Sequence, residues 1–522
     1  MRILVISNLL PPRMLGGFEL AALTISRALR ERGHEVLILT SPAERYDDSQ
    51  AGWVDRSLNL RELFVNVQPH HEEAREAERF ASRVSNIQNT LIVLDRLRSF
   101  QPDHVMTFGL VGLGGLAILD AIRSAGIPIT MNLGDDVPIQ LVDGWEPEVL
   151  AHYEAPSPLF SSLRYAIISR TLQEEVAARI ELGPTQIIPR GAAHPDLVRT
   201  RPHRADGETR FVSSGIVSPH KGIDITVQAV ALLKERGLDR FRVDVYGGGL
   251  HEEYRARTRE LGLGDVIEFH GPTDQQAVLA AEAASDALVF PTWHREPFGN
   301  APIEAAAAGC VPIITEDFGA AEWLVDGVHA IKIQRNPESL ADAMERVIRG
   351  EVDLEAMAKA GRELAHGSLS FERTIIRLES WLLEGSSGSR FAPDWPALAA
   401  RALRKDDDVR WAHDAVEKEI EEVAVRTAQI QAQMTQQSWY RRLLALPLKA
   451  MRWVVRPFVE AETRELAMQL AARERAVSDA EDRLIARERA AQERDEALRH
   501  LIQGVRKDIM ATNHRIDEIG KR

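Results

Sequence analysis

The sequence predicts an α/β protein: two doubly wound, Rossmann-like parallel sheets facing a cleft, followed by an all-α tail. Three observations predict it. Short apolar strands alternate with helical stretches from Ile3 onward, a second alternating series starts at Arg210 after an aperiodic tract, and no strand pattern follows Asp394. At 522 residues, 44% apolar and 27% charged, the chain can bury more than one core, and length alone implies roughly three domains.

Composition narrows the class. No apolar run approaches the ~20 residues that a bilayer-spanning helix needs, and Met1-Arg-Ile-Leu-Val-Ile-Ser7 reads as a strand, not a signal peptide. The lone cysteine, Cys310, excludes an internal disulfide and a cysteine metal cage, and its apolar neighbours mark it as a buried small residue. A net charge of −14 argues against nucleic acid as the main partner. These features point to a cytoplasmic, soluble enzyme.

The first unit, residues 1–195, opens with the strand Ile3–Ser7, a Pro-Pro turn, Gly16-Gly17 and a helix from Glu19 to Arg32 with Leu20, Leu23, Ile25 and Leu29 on its apolar face. Gly33-His34 stops that helix, and Val36–Thr40 is the next strand. In such a unit ligands bind beyond the carboxyl ends of the strands, where Gly16 and Gly17 fall; adjacent glycines admit a close ligand approach or simply make a tight turn. Strands follow at Val105–Phe108, Ile127–Asn132, Tyr165–Ser169 and Gln186–Pro189. The glycines between Gly109 and Gly115 fit a phosphate loop or close helix packing, without the Rossmann fingerprint. Asp135 and Asp136 either act in a site or cap the next segment, and no ligand cluster supports a metal there.

Residues 196–209, rich in proline and charge, read as a linker. The second unit, residues 210–370, begins with the strand Arg210–Gly215 and the loop Gly215-Ile-Val-Ser-Pro-His-Lys221-Gly222. A lysine on a glycine-flanked loop at a strand end is well placed for a diphosphate, although a solvated surface lysine has the same local pattern. Phe241–Tyr246 runs into Gly247-Gly248-Gly249, then come Val266–Gly271 and Ala287–Pro291. Next is Glu296-Pro-Phe-Gly-Asn-Ala-Pro-Ile-Glu304, leading into an alanine helix with Pro302 in its first turn. Free backbone N–H groups and the positive helix end coincide there, so a hydroxyl-rich anionic ligand suits the spot. The plainer alternative is that Glu304 complements the helix dipole while Glu296 is a surface loop acid.

The tail differs in character. Residues 394–437 read as helical, and residues 438–459 carry Arg441, Arg442, Lys449, Arg452 and Arg456 with no acid among Trp439, Tyr440, Trp453 and Phe458. That segment fits the interface of an anionic membrane, or a helix packed on the catalytic domain or on a partner. In residues 461–522 the positions Leu470, Val477, Leu484, Ala491, Leu498 and Val505 repeat every seven residues beside a charged second seam. The pattern fits an oligomer-dependent coiled coil or a lone charged helix.

Two glutamates eight positions apart around Phe-Gly, with a small-residue helix after them, resemble the donor-sugar signature of retaining glycosyltransferases of the GT-B fold, family 4 type (glycosyl transferases group 1). The N-terminal stretch Leu10–Glu19 and the Gly215–Gly222 loop resemble motifs of the same family over about 370 residues. The resemblance implies that Glu296 contacts sugar hydroxyls and Glu304 the ribose. It implies that backbone around Phe298, Gly299, Asn300 and Ala301 binds sugar and phosphate. Lys221 would grip the diphosphate, and Gly16, Gly17, Gly215, Gly247 and Gly248 would line the donor. Glu296, Lys221 and Asp135 are the catalytic candidates. The family's phosphate arginine is Ile216 here and its histidine before the acidic pair is Gly134. The family also implies retention of configuration, no metal or other cofactor, and a helix near Phe371–Leu383, within residues 371–385, returning to the first unit.

The expectation is a glycosyltransferase moving a sugar from a nucleotide sugar to a glycan or lipid-linked acceptor in surface polysaccharide biosynthesis. It would be cytoplasmic or peripheral on the inner face of the cell membrane through residues 438–459, and a homo-oligomer through residues 461–522. Two carboxylates alone would also fit a glycosidase, in which the phosphate-type loops would have no purpose. A non-catalytic GT-B-like scaffold organising a membrane glycan-assembly complex is the alternative from another class. A nucleotide-sugar epimerase would leave the tail unexplained.

Overall fold

The computed structural model describes residues 1–410 apart from residues 44–46, 62–71, 146, 155–156, 193–198, 200–201, 205–206 and 387–392. The first sheet contains β1 (Arg2–Ile6), β2 (Glu35–Leu39), β3 (Val54–Asp55), β4 (His104–Thr107), β5 (Ile129–Leu133), β6 (Arg164–Ile167) and β7 (Thr185–Ile187). Its strands lie in the order β3-β2-β1-β4-β5-β6-β7, every pairing parallel. The second sheet contains β8 (Thr209–Ser214), β9 (Phe241–Tyr246), β10 (Ile267–Gly271), β11 (Ala287–Phe290), β12 (Val311–Thr315) and β13 (Ile331–Ile333), in the order β10-β9-β8-β11-β12-β13 and again parallel throughout.

In both sheets the first strand lies inside and the winding reverses beside it, between β1 and β4 and between β8 and β11. Loops leaving the carboxyl ends diverge at such a reversal and open a crevice. The Gly16-Gly17 turn follows β1, the Lys221 loop follows β8 and the Glu296 loop follows β11, so topology alone carries these segments to the two crevices.

Parallel strands covered on both faces must be apolar throughout. β4 and β11 are buried at every position, and β1 is buried at all but its first residue. One layer of the first domain packs Ile3 and Val5 against Leu23, Ile25 and Leu29 of helix Gly17–Glu31 and against Ile375, Leu378, Trp381 and Leu382 of helix Phe371–Gly385. That last helix therefore returns to the first sheet from beyond the second, and its Glu379 accepts from Arg32 Nε at 2.9 Å and pairs with His34 Nε2 at 2.8 Å.

β3, β12 and β13 and helices Glu72–Arg83 and Ile87–Phe100 were not part of the sequence expectation. β3 and β13 have two and three residues, too few to show a period. β12 contains Pro312, which ordinarily argues against an interior strand, and the structure accommodates it at the second position of the strand. The glycines between Gly109 and Gly115 serve packing: a Cβ on Gly109 would lie 2.2 Å from Asn8 Oδ1, and one on Gly114 2.1 Å from the Asn86 backbone nitrogen.

Beyond residue 393 a helix spans residues 395–410, where the description ends. It docks on the first domain through polar contacts: Ser85 Oγ donates to Asp406 Oδ1 at 2.5 Å and Lys405 Nζ donates to Asp120 Oδ2 at 2.7 Å. The basic segment 438–459 and the heptad segment 461–522 lie outside the described residues, as do residues 411–437 of the helical segment. Among the described residues no helix is long and apolar enough to cross a membrane.

Candidate functional site

The Glu296 loop leaves β11 and is held in place by main-chain bonds. Trp293 N donates to His220 O at 3.0 Å, and the Glu296 carbonyl accepts from Gly319 N at 3.1 Å. The Glu296 side chain turns inward and is only 6% exposed as a residue. Lys221 Nζ donates to Glu296 Oε2, and Thr292 Oγ1 donates to the same oxygen at 3.3 Å. The expected sugar-binding glutamate and the expected phosphate lysine thus form an ion pair. Gly222, at φ +80°, lets the lysine loop sit this close, because a Cβ there would lie 2.0 Å from Pro291 O.

Phe298 is buried, and Gly299 takes φ +73°. Asn300 caps helix Ala301–Ala308 by backbone geometry alone, its side chain making no cap bond. Its amide instead reaches the other domain: a Cβ on Gly17 would lie 3.1 Å from Asn300 Nδ2. This approach brings Gly16, Gly17 and the Glu296–Glu304 segment to one cleft. Gly16 N donates to Glu19 Oε2 at 3.0 Å, which fixes the start of the first-domain helix. Glu304, in the first turn of its own helix, is half-buried; burial raises its carboxyl and Arg190 opposes the rise.

Gly215 has φ +132° and open space where a Cβ would be, whereas a Cβ on Gly247 would lie 1.7 Å from Gly215 O. The two loops therefore run on side by side at backbone distance from the β8–β9 pairing, with Gly215 N donating to Tyr246 O at 3.0 Å. Gly248 meets nothing closer than 3.5 Å, whereas a Cβ on Gly249, at φ +91°, would lie 2.6 Å from Val217 O, so packing demands Gly247 and Gly249 but not Gly248. Beneath them Glu282 is fully buried, receives Ser214 Oγ at 2.9 Å, and is pushed well up by burial and then by Glu304. Ile216, in the position of the family's phosphate arginine, is 51% exposed.

On the opposite wall, Asp135 Oδ1 accepts from Asp136 N at 2.9 Å, and the protein crowding around Asp135 raises its carboxyl to about 6. Asp136 N-caps helix Val137–Val142 without a side-chain cap bond, so neither aspartate serves as a conventional cap. Asp136 pairs instead with Arg295 of the second domain at 3.3 Å. Gly134 has a steric cause: a Cβ there would lie 2.7 Å from Phe18 Cδ2, so the phenyl ring stands where a histidine side chain would begin.

Several residues in or beneath the cleft escaped the sequence reading: Arg190, Phe18, Thr292, the buried Glu282 and the Arg295–Asp136 bridge. Arg190 had a usable signal, a charged residue between Pro189 and Gly191 just past a strand of the first sheet. Among the described residues one group could ligate a cation, Asp244, Glu268 and His270 on β9 and β10, and Arg242 donates to both of its carboxylates.

Residues 198–364 match the family model of glycosyl transferases group 1. The second domain belongs to that family, and the chain has the GT-B fold. The D-inositol 3-phosphate glycosyltransferase of Streptomyces griseus is 33% identical over 158 residues, 28% of this chain and 33% of that protein. The match thus spans about a third of that relative's length. The glycogen synthase of Mycobacterium tuberculosis is 24% identical over 407 residues, 75% of this chain and 96% of the synthase. Among solved GT-B neighbours, sucrose-phosphate synthase from Thermosynechococcus elongatus superposes with a TM-score of 0.57 at 18% identity, over 73% of this chain and 98% of that one. Anabaena Alr3699/HepE, solved in complex with UDP and glucose, gives 0.54 at 18% identity, over 74% of this chain and 100% of that one.

Proposed function

We propose that this GT-B protein transfers a sugar from a nucleotide-sugar donor to an acceptor hydroxyl, with retention of configuration. The observation that carries the reading is the meeting of Gly17 and Asn300 across a cleft that also holds Lys221, Glu296 and Glu304. The relatives named as glycosyltransferases and the Anabaena protein's complex with UDP and glucose support it.

In this reading Glu304 takes the ribose hydroxyls, and Glu296 exchanges Lys221 for sugar hydroxyls. Lys221, released toward the diphosphate, stabilises the negative charge that grows there as the bond to the anomeric carbon breaks. Backbone N–H groups at the start of helix Ala301–Ala308 add to that field. Asp135 faces the acceptor side and orients its hydroxyl. The reading requires no metal, so turnover is expected to survive a chelator.

The acceptor class we propose is a glycan or lipid-linked sugar of surface polysaccharide assembly at the inner face of the membrane. Its support is the basic aromatic segment 438–459, whose preceding helix docks on the first, acceptor-side domain. The test is a panel of nucleotide sugars, scored for binding and slow donor hydrolysis, with Glu296→Ala and Lys221→Ala in parallel. Hydrolysis of one donor that disappears in both variants establishes the reading. Well-folded protein that binds no donor rejects it in favour of a scaffold.

A further inference from the structure

The backbone around Arg190 is pinned from both sides. Thr374 Oγ1 donates to Pro189 O at 2.8 Å, Gly191 N donates to Thr374 Oγ1 at 3.0 Å, and a Cβ on Gly191 would lie 2.3 Å from the Ser370 backbone. From this anchor the Arg190 side chain enters the cleft. Nη1 donates to Gly17 O at 3.3 Å, and Nη2 lies 3.3 Å from where a Cβ on Gly134 would be. The carboxylates whose fields reach it are Glu304 of the second domain and Glu19 of the first. Glu19 already accepts from Gly16 N.

A guanidinium has five N–H donors. Among the described residues only one of them is engaged, by a long bond to Gly17 O. Burial pushes Arg190 down to about 10, with Glu304 and Glu19 opposing, so it keeps its charge at neutral pH. On the opposite wall the loop after β8 offers the cation Lys221, since Ile216 is apolar and burial and Lys221 hold His220 below its ordinary value, while Arg295 is paired with Asp136. A diphosphate carries at least two negative charges, and planar guanidinium donors match its oxygens.

We propose that Arg190 is a donor-binding residue that grips the diphosphate from the first domain, opposite Lys221 on the second. This rests on the nucleotide-sugar reading and adds a consequence to it. With one cation on each domain, the diphosphate bridges the cleft, and donor binding draws the two walls together. Glu304 and Glu19 hold the guanidinium in place until the ligand arrives.

The test compares nucleoside diphosphates with their monophosphates, which lack the outer phosphate. UDP, ADP and GDP, each against UMP, AMP and GMP, are titrated calorimetrically into the full chain, wild type and Arg190→Gln, with thermal melts confirming the fold. The expected result is a tenfold or greater loss of affinity for the preferred diphosphate, a change under threefold for its monophosphate, and partial recovery in Arg190→Lys. Equal losses for both ligands, or none, overturn the proposal and leave Arg190 as a contact to Gly17 alone. A wild type that binds neither class removes the nucleotide-sugar reading itself, and the role of Arg190 with it.

Discussion

The ion pair between Lys221 and Glu296 makes stability and activity respond differently to the same substitutions. In Lys221→Met, Glu296 stays 6% exposed with the Thr292 hydroxyl, at 3.3 Å, as its one remaining side-chain donor among the described residues. Breaking a fully buried pair costs about 3–5 kcal/mol. Here the lysine side chain is 27% exposed and one donor remains, so about 2 kcal/mol is expected. Glu296→Gln strands only a lysine that can reach water, at about 0.5–1 kcal/mol. The double variant has no stranded charge, so a double-mutant cycle in urea should show a coupling of about 1–2 kcal/mol. Donor hydrolysis should fall about 10²–10³-fold in either single variant, and the double should be no worse than the worse single, because the two act on one transition state. A coupling under about 0.5 kcal/mol would refute the pairing and with it the exchange of lysine for sugar on Glu296.

Gly247→Ala places a Cβ 1.7 Å from Gly215 O at φ +141°, so urea unfolding should show a loss of about 2–3 kcal/mol, while Gly248→Ala stays within about 1 kcal/mol. Gly134→His should lower the melting temperature in the wild-type background and be tolerated with Phe18→Ala, since the Phe18 ring is what a side chain at 134 meets at 2.7 Å; equal effects in both backgrounds would contradict that. Asp135, raised to about 6 in the folded state from about 3.9 unfolded, contributes stability that is present below pH about 4 and lost as pH rises through about 6. Asp135→Asn should therefore gain melting temperature relative to wild type between pH 4.5 and pH 7.5, and no pH dependence of that difference would count against the shift.

Most of the interior strands were legible because they are short apolar runs, several closed by glycine or proline as in Ala287–Pro291 and Phe241–Gly249, whereas Pro312 hid interior β12. The candidate segments were legible because glycines at strand ends leave a trace in any sequence, and the structure gives Gly222 and Gly247 steric reasons to be glycine. What sequence could not supply was which residues meet across the cleft. Arg190 and Gly17 are 173 residues apart, and Asn300 is farther still along the chain. The vacancy at Gly134 looked like a missing histidine. Its cause, the ring of Phe18, lies on a different loop and becomes visible only when the loops after β1 and β5 are placed together.

The contacts between domains show how such a cleft can be both fixed and responsive. Ser169 Oγ donates to Pro297 O at 2.5 Å, and Glu322 of the second domain receives Arg170 N at 3.0 Å and Thr171 N at 2.6 Å. These bonds cap the first turn of helix Arg170–Ala177 with a carboxylate from the other domain, which suits the positive helix end. They lie beside the Glu296 loop, so any opening of the cleft must either break them or pivot about them. Arg190 and Gly17 face Asn300 and Glu304 in the same cleft, where on the proposed reading a bound diphosphate would add attraction between the walls without touching those bonds. If these bonds act as a pivot, then, on the proposed reading, a diphosphate met by the N–H donors that Arg190 leaves unengaged among the described residues would favour the closed state.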